Sequence, residues 1–411
     1  MYTDKNTSQE TSTSTRKGVW QSVLSVIRWC YHSVITLVTL TILTAFLLAA
    51  FSDHIAPKTF LYASYMGIGF PILLFITGLW GIFLCIVKLW RLLCIMLLSI
   101  YIAHEPISRF LPFHLSPNEP SITQTIDSQS VKTLKIMSYN TQRLGLSKLS
   151  DRSLKVSILN DIKDCGADII CLQEYGFSLS KNGYTETYIR KLLSDSYPYY
   201  HFLPYHKSRA SGIAIFSKYP IKQRQRIDES KHYFASMLYE LNIDGRKIAL
   251  INNHLQSFSF KEKDQELYES IVDGWENDSI VEQIHVNIVR KLGRGYIARQ
   301  KQSELIAQIK KEIGEETPLI ICGDFNDTPV SYCYQTIRGD MSDSWKEAGF
   351  GPGITYNKHK LWFRIDHLFH SNHFKTLDIE VLEHYKYSDH YPVMATYQLL
   401  PSTSTTQDNS K

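Results

Sequence analysis

Residues 319–327 read LIICGDFND: four apolar residues and a glycine, followed by the polar residues Asp324 and Asn326. An apolar run of this length, bounded by glycine, is typical of a buried β-strand. The same arrangement recurs along the chain. Its other members are Asn140 after LKIMSY, Glu174 after DIICLQ, His254 after ALINN, Asp366 within FRIDHLF, and Asp389 with His390 in YSDHYPV. The sequence therefore predicts several short strands whose ends carry polar groups.

Segments with helical spacing lie between these strands, which predicts an α/β fold. Ser153–Asp164 has helical spacing, and Lys261–Ile313 is long, charged and mostly helical in pattern. Further strands are expected at Gly212–Ser217, Phe234–Ile243, Lys247–Asn252, Leu377–Leu382 and Val393–Leu399. The dipeptide Asp244-Gly245 predicts a hairpin turn. Two sheets covered by helices satisfy this pattern, although periodicity alone does not establish that arrangement.

Polar residues at strand ends meet along one edge of a sheet, where functional sites commonly form. These residue types suit the hydrolysis of a phosphate ester, which needs charge neutralisation, an activated water and a stabilised leaving group. Glu174, with the amide oxygen of Asn140 beside it, is the expected ligand pair for a hard divalent cation. The sequence therefore predicts a metal-assisted hydrolytic site.

The remaining strand-end residues are expected to move protons and to donate hydrogen bonds. His390 paired with Asp366 gives a polarised imidazole. Asp324 is expected to orient the attacking water as a base. Asn326 and His254 are expected to donate hydrogen bonds to the phosphate and to its developing negative charge.

Each of these residues also has a plainer interpretation. An Asn or Asp at a strand end is usually a turn former or a helix cap. Glu174 alone suits a solvated loop, and His254 alone suits a structural histidine. These interpretations weaken together, because five separate strands end in the residue types that one reaction needs.

The first third of the chain contains three apolar runs. Ser33–Phe51 and Phe60–Val87 carry no charge, and a bilayer span needs ~20 such residues. Leu92–Ala103 is shorter, since about 12 helical residues cover only about 18 Å of a core about 30 Å thick. We expect three spans, with two spans as the alternative. A signal peptide would have a shorter apolar core and a cleavage site instead of further apolar sequence.

Basic residues predict the orientation of these spans. They precede the first and third runs and comprise Arg16, Lys17, Arg28, Lys88 and Arg91. The N-terminus is therefore expected in the cytoplasm. With three spans, everything after about His104 would lie outside it.

The expected organisation has five parts. They are a disordered cytoplasmic tail with a juxtamembrane segment (1–32), a membrane region (33–104), a Pro/Ser/Thr-rich linker (105–130), a soluble domain (131–400) and a disordered tail (401–411). A net charge of +4 on 411 residues does not by itself indicate a nucleic-acid partner. The seven cysteines form no C-x-x-C pair, so no zinc site is expected, and Cys171 and Cys322 are expected to be buried thiols.

In this order, the segments SYNTQRLG, DIICLQEYG, SGIAIFSKYPI, NNHLQS, IICGDFNDTP, FRIDHLF and YSDHYPV resemble the motifs of the endonuclease/exonuclease/phosphatase superfamily. The resemblance covers about Lys135 to Leu399. It implies a DNase I-like four-layer αββα sandwich, dependence on Mg²⁺ or Mn²⁺, and a phosphate ester as substrate. The preceding apolar runs resemble the three-span anchors of bacterial inner-membrane proteins with this domain, which would make the soluble domain periplasmic.

Carried over by position, the resemblance assigns metal binding to Asn140, Glu174 and Asp389. It assigns catalysis to His254, Asp324, Asn326, Asp366 and His390. Gln142 stands where some nucleases carry an acidic residue, which puts a second metal ligand there in doubt. Lys207 and Arg209 are candidate phosphate contacts that no motif fixes. Ser257–Gln302 is an insertion with a basic later part, interpreted as a solvated helix face rather than a phosphate-contacting surface.

Three functions remain open from the sequence. A nuclease-type phosphodiesterase is the default. Cleavage of sphingomyelin, another phospholipid headgroup or an inositol phosphate is the second, because a tether would hold the site near lipid. The third is an inactive membrane adaptor, against which the complete set of polar residues argues. The expected partners are the phosphodiester substrate and the lipid bilayer, and no obligate protein partner is inferred.

Overall fold

The computed structural model describes residues 6–114, 133–145, 152–180, 184–205, 208, 210–227, 234–258, 278–358 and 362–401. The chain divides into two compact units. The helical unit consists of Met1–Ala49 and Gly69–His104, and the sandwich unit consists of Ala50–Ile68 and Glu105–Lys411.

Ten α-helices lie in the described residues. They are α1 Asn6–Ala50, α2 Leu61–Ile68, α3 Phe70–Ile86, α4 Trp90–Ile102, α5 His104–Phe110, α6 Arg152–Asp164, α7 Glu186–Leu193, α8 Asp278–Ile313, α9 Tyr332–Arg338 and α10 Ser344–Ala348. Short 3₁₀ turns cover Ser52–His54 and Gln142–Gly145.

The helical unit contains one helix that is long and apolar enough to cross a membrane. This segment of α1 runs from Trp20 to Ala50 and has a mean hydropathy of 2.3 in its most apolar window. Two bent pairs pass the same test only if each pair is one span: α2 with α3, bent by 63°, and α4 with α5, bent by 62°. Within the unit, Gly81 lets α3 approach Met96 of α4, because a Cβ there would lie 2.2 Å from the Met96 Cε atom.

The sandwich unit is built on two six-stranded sheets. Its strands are β1 Thr133–Asn140, β2 Ile169–Gly176, β3 Tyr199–Pro204, β4 Ser211–Ser217, β5 Ile221–Arg226, β6 Ala235–Ile243, β7 Arg246–His254, β8 Leu319–Asp324, β9 Ser342–Asp343, β10 Asp366–His370, β11 Phe374–Val381 and β12 Val393–Leu399. The first sheet has the order β11-β12-β1-β2-β4-β3, and the second has the order β5-β6-β7-β8-β10-β9.

Three apolar clusters define four layers, α, β, β and α. The central cluster joins the inner faces of the sheets, with Ile136 and Ile215 from the first and Tyr239 and Ile320 from the second. A second cluster packs α6 and α7 on the outer face of the first sheet, and a third packs α8 and α9 on the outer face of the second. Cys171 and Cys322 are buried free thiols in the central cluster, as expected. The four-layer αββα sandwich is therefore confirmed.

The strands predicted from apolar runs are all present, and the Asp244-Gly245 turn is confirmed by its φ values of 48° and 85°. The strands that were missed lack an apolar pattern or are very short. In β5, IKQRQR exposes most of its side chains at a sheet edge, and β3 ends in Pro204 at the edge of the other sheet. Edge strands tolerate charge and proline, so their sequences carry little strand pattern.

The expected boundaries around the apolar runs differ from the structure in three places. Helix α1 begins at Asn6, within the tail expected to be disordered. Residues 50–68, expected in the membrane region, belong to the sandwich unit, and α5 occupies the start of the expected linker. The reason is a buried ion pair 2.6 Å long between Asp53 and Arg109, which joins the two pieces, together with hydrogen bonds from Ser52 to the Val330 carbonyl and from Arg109 to Gln335. Residues 115–130 and 402–411 lie outside the described residues.

Candidate active site

The strand pairing brings the predicted residues to one edge of the two sheets. In the second sheet β7 and β8 are parallel with His254 opposite Asp324, and β10 is antiparallel to β8 with Asp366 opposite Asp324. In the first sheet β1 and β2 are parallel, with Asn140 opposite the residue before Glu174. Register in the two sheets therefore sets the spacing of these side chains.

Asp324 lies at the centre of the cluster and is buried. Its Oδ2 accepts a hydrogen bond from Asn140 Nδ2 at 2.9 Å, and its Oδ1 accepts one from the Asn326 amide at 2.8 Å. The Nε2 atoms of His254 and His390 lie 3.8 and 3.7 Å from its Oδ2. Burial, opposed by the charge of His390 and assisted by the Asp366 carboxylate, raises the pKa of Asp324 to about 6.

His390 and Asp366 form the predicted pair, with 2.8 Å between His390 Nδ1 and Asp366 Oδ2. Both side chains are buried. Burial alone would lower the pKa of His390, but Asp366 and then Asp324 outweigh it and raise this pKa to about 10. The imidazole is therefore protonated near neutral pH, with Nε2 directed toward Asp324.

Glu174 approaches the cluster from a β-bulge in β2, where the register with β4 shifts between Leu172 and Tyr175. Its φ of 45° is a left-handed conformation that a non-glycine residue rarely adopts, and such strain is common at functional sites. Its side chain remains 36% exposed, and its Oε1 lies 3.7 Å from His254 Nε2. Desolvation of the carboxyl group, and then the charge of the Asp389 carboxylate, raise the pKa of Glu174.

Asp389 is held beside this cluster by Gln142, whose Nε2 donates to Asp389 Oδ2 at 3.1 Å. Asp389 raises the pKa of Glu174 because the two negatively charged carboxylates repel each other. A hard cation that accepts oxygen ligands would relieve this repulsion. The donor set of Glu174, Asp389 and the Asn140 amide oxygen therefore fits a divalent metal ion.

A second set of potential ligands lies deeper in the site. Asp324, Asp366 and His390 offer ligand atoms within 4.8 Å of one another, and all three are buried. His390 is protonated and bonded to Asp366, and a protonated imidazole nitrogen cannot bind a metal. This set therefore suits acid–base chemistry better than metal binding.

Asn326 and His254 also border Asp324, at its Oδ1 and Oδ2 atoms respectively. Asn326 has a φ of 52°, and its Nδ2 donates to the Leu255 carbonyl at 3.0 Å. His254 Nδ1 lies 2.5 Å from the Tyr205 hydroxyl, and burial lowers the pKa of His254, so it is neutral near neutral pH. Lys207 and Arg209, the predicted phosphate contacts, lie outside the described residues.

Sequence reasoning missed several residues that hold this site in place. Tyr205 bonds His254 and accepts a hydrogen bond from the Glu174 amide at 3.2 Å. Gln173 Nε2 donates to Asn252 Oδ1 at 2.7 Å, which links the two sheets below the site. No motif marked Tyr205. Gln173 does stand directly before Glu174, and Asn252 stands two residues before His254, in apolar runs where a polar residue needs a partner.

The basic part of the insertion divides into two environments. Arg299 is buried and pairs with Asp327 at 2.9 Å, which supports the turn that carries Asp324 and Asn326. Arg290 and Arg294 are exposed, as the predicted solvated helix face requires.

A family model described as the Endonuclease/Exonuclease/phosphatase family matches residues 137–390, well over half of the chain. A second model, described as a domain of unknown function, matches residues 32–110. The first match includes the strand-end residues that form the cluster, from Glu174 to His390, and Asn140 near its start.

Solved structures with a similar fold cover about two thirds of the chain. The catalytic domain of human Nocturnin with bound sulfate is 20% identical, with a TM-score of 0.47 over 65% of this chain and 93% of that one. TDP2 of D. rerio with a single-stranded DNA product is 17% identical, with a TM-score of 0.43 over 65% and 99%. A mannosyl-6-phosphatase of Bacteroides thetaiotaomicron is 17% identical, with a TM-score of 0.44 over 64% and 99%. At these identities the likeness concerns the fold.

Proposed function

The chain belongs to the Endonuclease/Exonuclease/phosphatase family, and from this premise we propose that it is a membrane-anchored, Mg²⁺-dependent phosphodiesterase of nuclease type. One observation carries the proposal: the Asp324 carboxylate lies within 4 Å of Asn140, His254 and His390 at one sheet edge. Members of the family are hydrolases of phosphate esters and generally depend on a divalent metal.

Asp324 is the proposed base that orients and deprotonates the attacking water. Its raised pKa, about 6, keeps it ionised but still basic at neutral pH, which suits a general base. Asn326 and His254 both border Asp324 and would donate hydrogen bonds to phosphoryl oxygens. For this, the side-chain Nδ2 of Asn326 exchanges its hydrogen bond with the Leu255 carbonyl for one with the substrate.

His390 is the proposed cationic donor to the scissile phosphate. Asp366 fixes its Nδ1 and keeps the ring charged, and its Nε2, 3.7 Å from Asp324 Oδ2, is left to donate to an incoming oxyanion. A charged donor in a water-poor site strengthens this contact. Asp366 acts through His390 and does not contact substrate itself.

Glu174, Asp389 and Asn140 are the proposed residues that hold the metal. A bound Mg²⁺ would neutralise charge on the phosphoryl oxygens. Mn²⁺ prefers similar oxygen ligands and is expected to substitute.

The proposed location is a multi-pass anchor in a bacterial inner membrane, with the sandwich unit on the periplasmic side. Residues 50–68 and the chain from Glu105 belong to the same unit, joined by the Asp53–Arg109 pair and by a 3.0 Å bond from Ser52 Oγ to the Val330 carbonyl. Both ends of the segment between them must therefore lie on one side of a membrane. Helices α3 and α4 therefore either both cross the membrane or both stay on one side. Together with α1 this gives three spans or one, which supports three spans over two.

A substrate panel tests the activity. The full-length protein in detergent with Mg²⁺ is assayed against single- and double-stranded DNA, RNA, sphingomyelin and inositol phosphates. We expect cleavage of nucleic acid. Hydrolysis of lipid alone would replace the nuclease proposal with the phospholipid alternative, which the apolar helix α1 favours. Metal binding without any hydrolysis would favour the inactive adaptor.

Reporter fusions test the location. A fusion after Leu111 should report a periplasmic position, and a fusion after Lys88 should report the cytoplasm. A cytoplasmic reporter at both positions would contradict three spans.

A further inference from the structure

A groove outside the active site runs between α2 and α8 in the sandwich unit. Its volume is about 370 Å³, within the range of small-molecule sites. The apolar side chains along it are those of Leu61, Val289 and Ile297. None of these residues takes part in the proposed hydrolysis.

Two unpaired positive charges border this groove. Arg290 and Arg294 line it, are exposed, and stand one helical turn apart on the same face of α8. Across the described ranges neither guanidinium has an acidic partner, unlike Arg299 one further turn along, which pairs with Asp327. Paired guanidinium groups suit a phosphate, because each presents several donors in a fixed plane.

The groove is a built feature of the fold. Tyr65 of α2 donates from its hydroxyl to the Val289 carbonyl at 3.0 Å. A Cβ at Gly293 would lie 2.7 Å from the Tyr65 hydroxyl and 2.9 Å from Leu61 Cδ2, so the glycine sets how closely α2 approaches α8. The Lys58 amide also donates to Gln300 Oε1 at 2.9 Å.

The chain next to the groove points to a lipid as its occupant. Only Gly69 separates α2 from the apolar helix α3 along the chain, so the helix that forms this wall of the groove continues directly into an apolar helix. Phe60 and Tyr62, at the start of α2, are 48% and 66% exposed. Exposed aromatic side chains beside an apolar helix are typical of the membrane–water interface.

We propose that the groove between α2 and α8 binds an anionic phospholipid of the surrounding bilayer. The phosphate lies against Arg290 and Arg294, and an acyl chain lies against Leu61, Val289 and Ile297. The lipid is bound and not cleaved. Its binding fixes the sandwich unit against the membrane surface through a site separate from Asp324 and His390.

Native mass spectrometry of the full-length protein in a non-ionic detergent tests this. Phosphatidylglycerol and phosphatidylcholine with the same acyl chains are added, and bound lipids are counted. We expect tighter binding of phosphatidylglycerol. The double variant Arg290→Gln/Arg294→Gln should weaken it on the order of 30-fold, because each basic residue adds about a factor of five at an anionic surface.

The matched control is Lys301→Gln/Lys311→Gln, which removes the same charge from exposed positions of the same helix. It should leave phosphatidylglycerol binding unchanged. A third variant, Val289→Trp, fills the groove without changing charge and should also weaken binding. Thermal unfolding of each variant checks that the fold is intact, and none of these measurements depends on the proposed activity.

Three results would overturn the proposal. The first is equal phosphatidylglycerol binding by parent and the Arg290/Arg294 variant. The second is an equal loss in the Lys301/Lys311 control. The third is displacement of the lipid by a short oligonucleotide whose own binding needs both arginines, which would make the surface a nucleic-acid contact.

Discussion

Two regions of the sandwich unit bury charge in opposite ways. Asp53 and Arg109 are both 2% exposed and form an ion pair, with Arg109 also donating to Gln335 Oε1 at 3.1 Å and lying 3.9 Å from the Glu105 carboxylate. At the active site, the carboxylates of Asp324, Asp366, Glu174 and Asp389 surround a single protonated histidine. Charge is balanced in the first region and negative in the second.

This difference separates a structural role from a functional one. A balanced pair gains from its own attraction and needs no ligand, although its desolvation makes the net gain small. In a cluster with excess negative charge, burial and then the neighbouring carboxylates raise the pKa values of the carboxyl groups, as Asp324 and Glu174 show. Such a cluster costs stability unless a cation or a proton enters, which marks it as a binding site.

The largest expected effect comes from removing the metal. Excess EDTA should lower phosphodiester turnover at least ~10³-fold, because the cation supplies several kcal/mol of charge stabilisation. Added Mg²⁺ or Mn²⁺ should restore it. Unchanged turnover after dialysis against EDTA would disprove metal dependence.

Calorimetry with Mn²⁺ tells the two ligand sets apart. Glu174→Gln should weaken binding at least ~10-fold, since it removes a charged ligand. His390→Ala should leave the affinity nearly unchanged. The reverse pattern would assign the metal to Asp324, Asp366 and His390.

Loss of the acid–base groups should come next in size. Asp324→Ala and His390→Ala should each lower turnover at least ~10²-fold, the scale of a lost proton-transfer group. Asp378→Ala, on the exposed face of β11, is the control and should keep parental turnover. Variants as active as the parent in steady-state assays would refute both assignments.

Breaking the balanced pair should affect stability and spare catalysis. Arg109→Met leaves Asp53 buried without its partner and should cost about 3–5 kcal/mol in free energy of unfolding. Urea denaturation measures this. Lys218→Gln, which breaks the partly exposed pair with Asp168, should cost at most about 1 kcal/mol. Similar losses of unfolding free energy in both variants would mean that burial does not determine how much an ion pair contributes to stability.

The smallest effect concerns pH. Against the effect of burial, Asp366 and then Asp324 raise the pKa of His390 from 6.5 to about 10 in the folded state. The resulting stabilisation is therefore complete below pH 6.5 and lost as pH rises through about 10. Measured in EDTA, the stability advantage of the parent over Asp366→Asn should fall from about 1.5–3 kcal/mol at pH 6 by roughly 1 kcal/mol at pH 10. A rise with pH would contradict a charged His390.

Much of the site followed from the sequence, because apolar runs end abruptly at Asn140, Glu174, His254 and Asp324. The pairing of His390 with Asp366 was also predicted. Tyr205 was not, since it lies after an edge strand without alternating apolar residues and contacts His254 only in the folded chain. The edge strands β3 and β5 were missed for the same reason.

The sequence by itself determined the fold class, the apolar N-terminal helix and the residue types of the candidate site. Periodicity and abrupt changes of polarity are local properties that can be read directly from the amino-acid sequence. Only the tertiary structure decided which polar residues share one edge, that Asp53 and Arg109 join residues 50–68 to the sandwich unit, and that Arg290 and Arg294 face a groove while Arg299 is buried. These depend on strand register and on contacts between residues distant in the chain, which no local pattern records.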